Sequence, residues 1–147
     1  MNHAEDVADL HMHTTASDGT CSVTHRIEQA QRRDLNAIAV TDHDTIPEQF
    51  DGRVDSHGDL ELVTGVEVRA DVQDTKVELL GYYVDPSDAM LGNLLKEVRE
   101  HRRERNRRLV DQLQNVTELD RTYEEIRATA DGILGRPHVA NVLIQEG

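Results

Sequence analysis

The 147-residue chain predicts a single α/β domain spanning residues 1–147, and three observations carry that reading. Ala37-Ile38-Ala39-Val40 is a continuous apolar run between polar borders, the pattern of a strand buried on both faces in a parallel sheet. A strand-like segment and then a helix-like one precede it, so the chain opens strand, helix, strand. The first strand ends in Asp9-Leu10-His11-Met12-His13. Side chains two apart on a strand share a face, so His11 and His13 can offer two imidazoles to one metal ion while Leu10 and Met12 pack behind them. A lone His-x-His also suits histidines satisfied in a core or at a surface, and residues elsewhere must decide.

In chain order, Val7 to His13 is the first strand, and Thr14-Thr15-Ala16-Ser17-Asp18-Gly19-Thr20 is a loop by composition. Ser22 or Thr24 caps a helix to about Arg33, with Ile27 and Ala30 as a thin apolar stripe. Asn36 to Thr41 is the buried strand, and Pro47 with the Gly52 to Gly58 region makes an irregular connection. Leu60 to Val68 and Lys76 to Val84 are further strands, with Asp71 to Thr75 as the turn between them. Asp85-Pro86 stops the second of these, and Ser87 or Asp88 caps a helix over 88–114, about 40 Å long at 1.5 Å per residue. Thr122 to Ala130 is a short helix, and Gly135-Arg136-Pro137-His138 opens another, proline being tolerated early because its missing N–H has no partner there.

The long helix is unusual at residues 99–108, where six of the chain's sixteen basic residues fall within ten positions. A solvated face, with Glu100 and Glu104 pairing to arginines three or four residues on, accounts for it. So does a phosphate-facing patch, because guanidinium groups bind phosphate oxygens bidentately.

Composition narrows the classes. With 37% hydrophobic and 3% aromatic residues, the core must be built from Val, Leu, Ile and Ala. Cys21 is the sole cysteine, so an intrachain disulfide and a cysteine-rich zinc site are excluded and any metal site must use histidine and carboxylate. No apolar window is long enough for a membrane span, and Met1 to Asp6 lacks the regions of a signal peptide, which predicts a soluble, cytoplasmic protein without a membrane partner. The net charge is −13, with fourteen Arg, only two Lys (Lys76 and Lys96) and sixteen Asp. Such a surface repels itself and is relieved by screening, which predicts adaptation to high salt of the haloarchaeal kind; an ordinary acidic protein is the alternative. The overall field opposes nonspecific nucleic-acid binding but leaves room for a local basic groove.

Residues able to ligate metal recur at strand ends: His11 and His13 after the first, Thr41-Asp42-His43-Asp44 after the second, Glu67 on the third and His138 at the head of a late helix. In a parallel barrel the carboxyl ends of strands converge on one mouth, so these residues can meet. Their order, in Asp9-Leu10-His11-Met12-His13-Thr14-Thr15-Ala16-Ser17-Asp18-Gly19-Thr20, Ala39-Val40-Thr41-Asp42-His43-Asp44-Thr45, Gly65-Val66-Glu67, Leu80-Gly81-Tyr82 and Gly135-Arg136-Pro137-His138, resembles the motif series of the PHP (polymerase and histidinol phosphatase) domain family. Within it, the likeness is to small metal-dependent phosphoesterases. Each motif is weak alone; their combined order and spacing are specific and span nearly the whole chain.

The resemblance implies a distorted (β/α)7 barrel, of which this chain supplies the N-terminal portion, with two or three divalent ions (Mn, Zn or Fe). His11, His13 and Glu67 would hold the first ion, with Glu67 bridging to a second that also takes His138 and Glu78. Asp18 and His43 would serve the third, and Asp42 would orient an imidazole from behind. Position 78 is usually histidine in the family; a glutamate there hardens the site and favours Mn. The family's last strand brings an Asp-x-His pair, whereas about four of seven strands are read here, so further residues, a second chain or a homo-oligomer would have to close the barrel. Implied chemistry is phosphoester hydrolysis by a water whose pKa the metals lower, with Arg136 binding a substrate phosphate and no side chain as nucleophile. Implied substrates are phosphorylated small molecules, nucleotides or the 5′ ends of short RNAs. Two other classes stay open: a noncatalytic, incomplete metal-binding half barrel that acts through assembly, and a metal-dependent amidohydrolase. The latter is opposed by the positions of the only two lysines, neither at a strand end facing the mouth.

Overall fold

The computed structural model describes residues 7–73, 75–130 and 132–146. Strand β1 (Ala8–Met12), helix α1 (Val23–Gln31) and strand β2 (Ala37–Val40) form the expected opening unit, followed by β3 (Val54–His57), β4 (Leu60–Val72) and β5 (Thr75–Tyr82). Helices α2 (Ala89–Gln114), α3 (Tyr123–Arg127) and α4 (Arg136–Glu146) complete the described chain. Among the described residues, no helix is long and apolar enough to cross a membrane.

The five strands form one mixed sheet, in the order β1-β2-β4-β3, with β5 also on β4. β1, β2 and β4 are parallel, and β3 and β5 run antiparallel to β4. The run read as doubly buried is so: Ile38, Ala39 and Val40 are fully enclosed. Ile38 and Val40 pack with Val23, Ala30, Phe50, Leu60 and Leu62 in one core. A second core joins Val110 of α2 to Tyr123 and Ile126 of α3 and to Val139 and Val142 of α4. Burial of each such aliphatic side chain contributes about 1.5–3 kcal/mol, which holds α1 on the sheet and α2, α3 and α4 to one another.

Three local expectations are corrected. The Gly52–Gly58 region is not wholly irregular, since Val54–His57 pairs with Leu60–Val63 as β3. Backbone pairing forms this strand rather than side-chain pattern, which is why the polar sequence gave no sign of it. Residues 71–75 are not all turn: Asp71 pairs with Lys76 and Val72 with Thr75, so β4 and β5 are one long hairpin. β1 does not alternate cleanly either, because its register on β2 shifts between Asp9 and Met12. An extra residue there breaks the two-residue period, leaving Leu10 45% exposed while Met12 packs against the core.

Helix ends follow the sequence more closely. Ser22, not Thr24, caps α1, its Oγ accepting from His25 N–H at 3.2 Å. Asp88, not Ser87, caps α2, with one carboxylate oxygen accepting from Met90 and Leu91 N–H. Thr122 and Glu125 form a reciprocal capping box on α3.

Candidate metal centre

His11 and His13 leave the end of β1 and His43 follows β2, where it bridges in parallel to Glu67 on β4. The Glu67 N–H donates to Asp42 O at 3.1 Å and the Asp44 N–H to Glu67 O at 2.9 Å, so the backbone itself locks His43 beside Glu67. Only 3% of the Glu67 side chain is exposed, and its Oε2 lies 3.2 Å from His11 Nε2, 3.1 Å from His13 Nε2 and 3.3 Å from His43 Nδ1. His11 and His13 Nε2 are themselves 3.2 Å apart. Donors about 2.1 Å from a tetrahedral ion stand about 3.4 Å from one another, so His11, His13 and Glu67 already span one face of such a site. His13, Asp18 and His43 form a second ligand group, with Asp18 oxygens 3.6 Å from His13 Nδ1 and 3.8 Å from His43 Nε2.

The His43 Nδ1 is buried and accepts or donates no hydrogen bond among the described residues. A nitrogen lone pair left in that position is costly unless a cation takes it, and with the imidazole and carboxylate donors around it the site fits a divalent metal. The His13 imidazole is pushed to a lower pKa, first by burial and then by His43, against the pull of Asp18 and Glu67. Its neutral form, the one that ligates, is thereby favoured.

The loop after β1 is held to the site by hydroxyls. Asp42 is fully buried and accepts from Thr14 N–H at 2.7 Å, Thr14 Oγ1 at 2.6 Å and Ser17 Oγ at 2.5 Å. Asp42 was expected to orient an imidazole; its hydrogen bonds go instead to Thr14 and Ser17, and it is Ser17 Oγ that lies 3.5 Å from His13 Nδ1. Gly19 is needed in this loop because a β-carbon there would stand 2.4 Å from His13 O. From α1, Arg26 donates to the same carbonyl through Nε and Nη2 at 3.2 and 3.1 Å.

Three predicted residues are not drawn into these groups. In the hairpin Glu67 faces Leu80, so Glu78 is carried two pairs further, opposite Arg69, and is exposed. His138, in the first turn of α4, accepts from Gly135 N–H through Nδ1 at 3.0 Å, which places the proton of its neutral ring on Nε2. Arg136 is exposed, beside Gly135, where a β-carbon would lie 3.2 Å from the Asp18 side chain.

Sequence reasoning missed Asp44. It is fully buried at a backbone φ of 54°, and its carboxylate accepts from Arg102 Nε at 2.5 Å while its carbonyl accepts from Arg99 Nη1 at 2.9 Å. The acidic residues flanking His43 on both sides were the available signal; what α2 contributes could not be read locally.

A model of the PHP domain family matches residues 9–140. The chain belongs to the PHP domain family. Among curated relatives, the 5′-3′ exoribonuclease of Haemophilus influenzae is 31% identical over 140 residues, covering 95% of this chain and 51% of that protein. The 3′,5′-nucleoside bisphosphate phosphatase of Chromobacterium violaceum is 28% identical over 142 residues, with 95% and 50% covered. A solved structure named as an amidohydrolase from Chromobacterium violaceum, with bound sulfate and no metal, matches with a TM-score of 0.78 at 27% identity, over 95% of this chain and 50% of that one. This PHP chain therefore spans about half the length of the curated relatives it matches.

Proposed function

We propose that this PHP chain takes part in metal-dependent phosphoester hydrolysis, as a hydrolase acting on nucleotides or on the 5′ ends of short RNAs. The observation that carries the reading is the buried Glu67 carboxylate oxygen within 3.1–3.3 Å of three imidazole nitrogens from two strand ends and one loop. Divalent ions bound there would supply a more acidic water and positive charge for the phosphoryl oxygens. The chain's own residues bind and orient: His11, His13 and Glu67 at one position, His43 and Asp18 at the next, Thr14 and Ser17 keeping the loop closed through Asp42. Glu78 lies on the Glu67 face of the hairpin and would join a second ion by reaching back two residue pairs; His138 would do so on releasing Gly135. The names of the exoribonuclease and bisphosphate phosphatase relatives support the phosphate substrate. Against the amidohydrolase alternative, Lys76 and Lys96 are both exposed, and neither belongs to the ligand groups. The distorted (β/α)7 barrel is part of this proposal, as is its completion by residues or a chain pairing with the outer strand β1.

The test is metal content per chain, by elemental mass spectrometry, of protein purified in molar KCl, beside His13→Ala. Roughly two or more equivalents of Mn, Fe or Zn, reduced in the variant, are expected. Less than one equivalent, unchanged by the substitution, would overturn the metal-dependent reading.

A further inference from the structure

We propose that Arg26 of α1 is a positioning residue of the metal centre, holding the His13–Thr14 peptide in the orientation that lets the His13 imidazole serve both ligand groups. The inference deepens the metal-dependent reading and rests on it for the consequence at the metal, though not for the existence of the clamp.

His13 is the residue that the two groups share: its Nε2 lies beside His11 and Glu67, and its Nδ1 beside Asp18. It is also where β1 leaves the sheet. Thr41 N–H donates to Met12 O, and among the described residues no backbone N–H reaches the next carbonyl, that of His13. A main-chain carbonyl left without a donor is costly, and Arg26 supplies two, Nε at 3.2 Å and Nη2 at 3.1 Å. The other end of the same peptide is held as well, because Thr14 N–H donates to the buried Asp42 at 2.7 Å. One planar unit is thus gripped at its C=O by α1 and at its N–H by the residue that precedes His43. Its orientation sets the direction in which the His13 side chain leaves the backbone.

The guanidinium is free to do this. It makes no ion pair among the described residues, and its remaining Nη1 donates to Gln29 Oε1, one turn on in α1, at 3.3 Å. The side chain is half-buried, and Gly19 packs so closely against the same carbonyl that the loop and α1 meet at this oxygen. Charge alone would act in the opposite direction. A guanidinium near the centre repels a divalent cation, so if charge were all that Arg26 contributed, its removal would tighten metal binding. Loss of a positioning contact loosens binding, because groups that orient a ligand from behind are typically worth roughly ten- to a hundredfold in metal affinity.

The experiment titrates protein freed of metal with EDTA, and then of the chelator, with Co²⁺. Visible ligand-field absorption reports affinity and ligand geometry together. Arg26→Gln and Arg26→Lys are compared with wild type and with Arg32→Gln, which removes the same charge from an exposed position on the same helix end. Roughly tenfold weaker Co²⁺ binding with an altered spectrum is expected for Arg26→Gln, an intermediate loss for Arg26→Lys, which keeps the charge but not the fork, and no loss for Arg32→Gln. Should Arg26→Gln not fold, Arg26→Lys carries the comparison. Amide hydrogen exchange of the metal-free protein reads the clamp itself: Thr14 N–H should exchange roughly tenfold faster in the Arg26 variants while amides within β2 and β4 keep their protection. Arg26 variants that bind Co²⁺ as tightly as wild type or more so, with an unchanged spectrum, would overturn the proposal, and so would unchanged protection at Thr14. Wild type that takes up no Co²⁺ would instead sink the metal-dependent reading, and Thr14 exchange would still decide whether Arg26 holds the peptide.

Discussion

At the residue scale, the site depends on pairs whose members lie far apart in sequence. The Asp44–Arg102 pair, with side chains 0% and 12% exposed, fastens α2 to the loop that carries His43. Removing one partner of a buried pair leaves the other charge uncompensated, so Arg102→Met should cost about 3 kcal/mol of stability. Urea unfolding measures this, and the double variant Arg102→Met/Asp44→Asn should recover a large part of the loss. A double variant no more stable than Arg102→Met would mean that the stabilisation comes from packing of the arginine stem. The histidines themselves were legible because His11-Met12-His13 and His43 are chemically distinctive. Asp44 was not, since nothing near it in the chain says that an arginine 58 residues away will pair with it.

At the element scale, α2 carries the solvated, glutamate-paired face its sequence allowed, and turns other arginines inward to the protein itself. Arg99 and Arg102 face the metal-bearing loop while Arg103, Arg107 and Arg108 pair with glutamates at the surface. Helical spacing makes the two faces possible, and only docking against β4 and the His43 loop decides which arginines turn inward. The start of α3 offers a pH test. Glu125 is held below the usual carboxyl range by hydrogen bonds from the Thr122 N–H and hydroxyl. A carboxyl so depressed stabilises the fold above its unfolded pKa, and that contribution is lost as pH falls through its folded value. The difference in urea midpoint between wild type and Glu125→Gln should thus be present near about pH 7 and shrink towards about pH 3. Thr122→Ala, which removes the cap itself, should cost about 1 kcal/mol at neutral pH.

At the scale of the whole molecule, sixteen basic residues against twenty-nine acidic ones make self-repulsion a global term. We expect the melting temperature to rise as KCl increases to molar concentration, because screening weakens repulsion between exposed carboxylates. A melting temperature that falls with KCl would contradict the high-salt adaptation inferred from composition. Metal acts separately: a saturating divalent ion at about 100 times its dissociation constant should add about 2.7 kcal/mol, reversed by EDTA and absent in His13→Ala.

The sequence by itself pointed to the parallel core and to the five residues, His11, His13, Asp18, His43 and Glu67, that the structure brings together. A continuous apolar run such as Ile38-Ala39-Val40 has one economical place, the middle of a sheet, and His11 and His13, two apart at a strand end, gain their meaning from His43 and Glu67 at the neighbouring strand ends. Tertiary structure alone decided register and orientation. The pairing of Glu67 with Leu80 set Glu78 opposite Arg69, the bulge in β1 turned Leu10 outward, and docking of α2 left Arg105 among other arginines. Each of these depends on contacts between segments distant in the chain, where a shift of one residue exchanges the two faces of a strand.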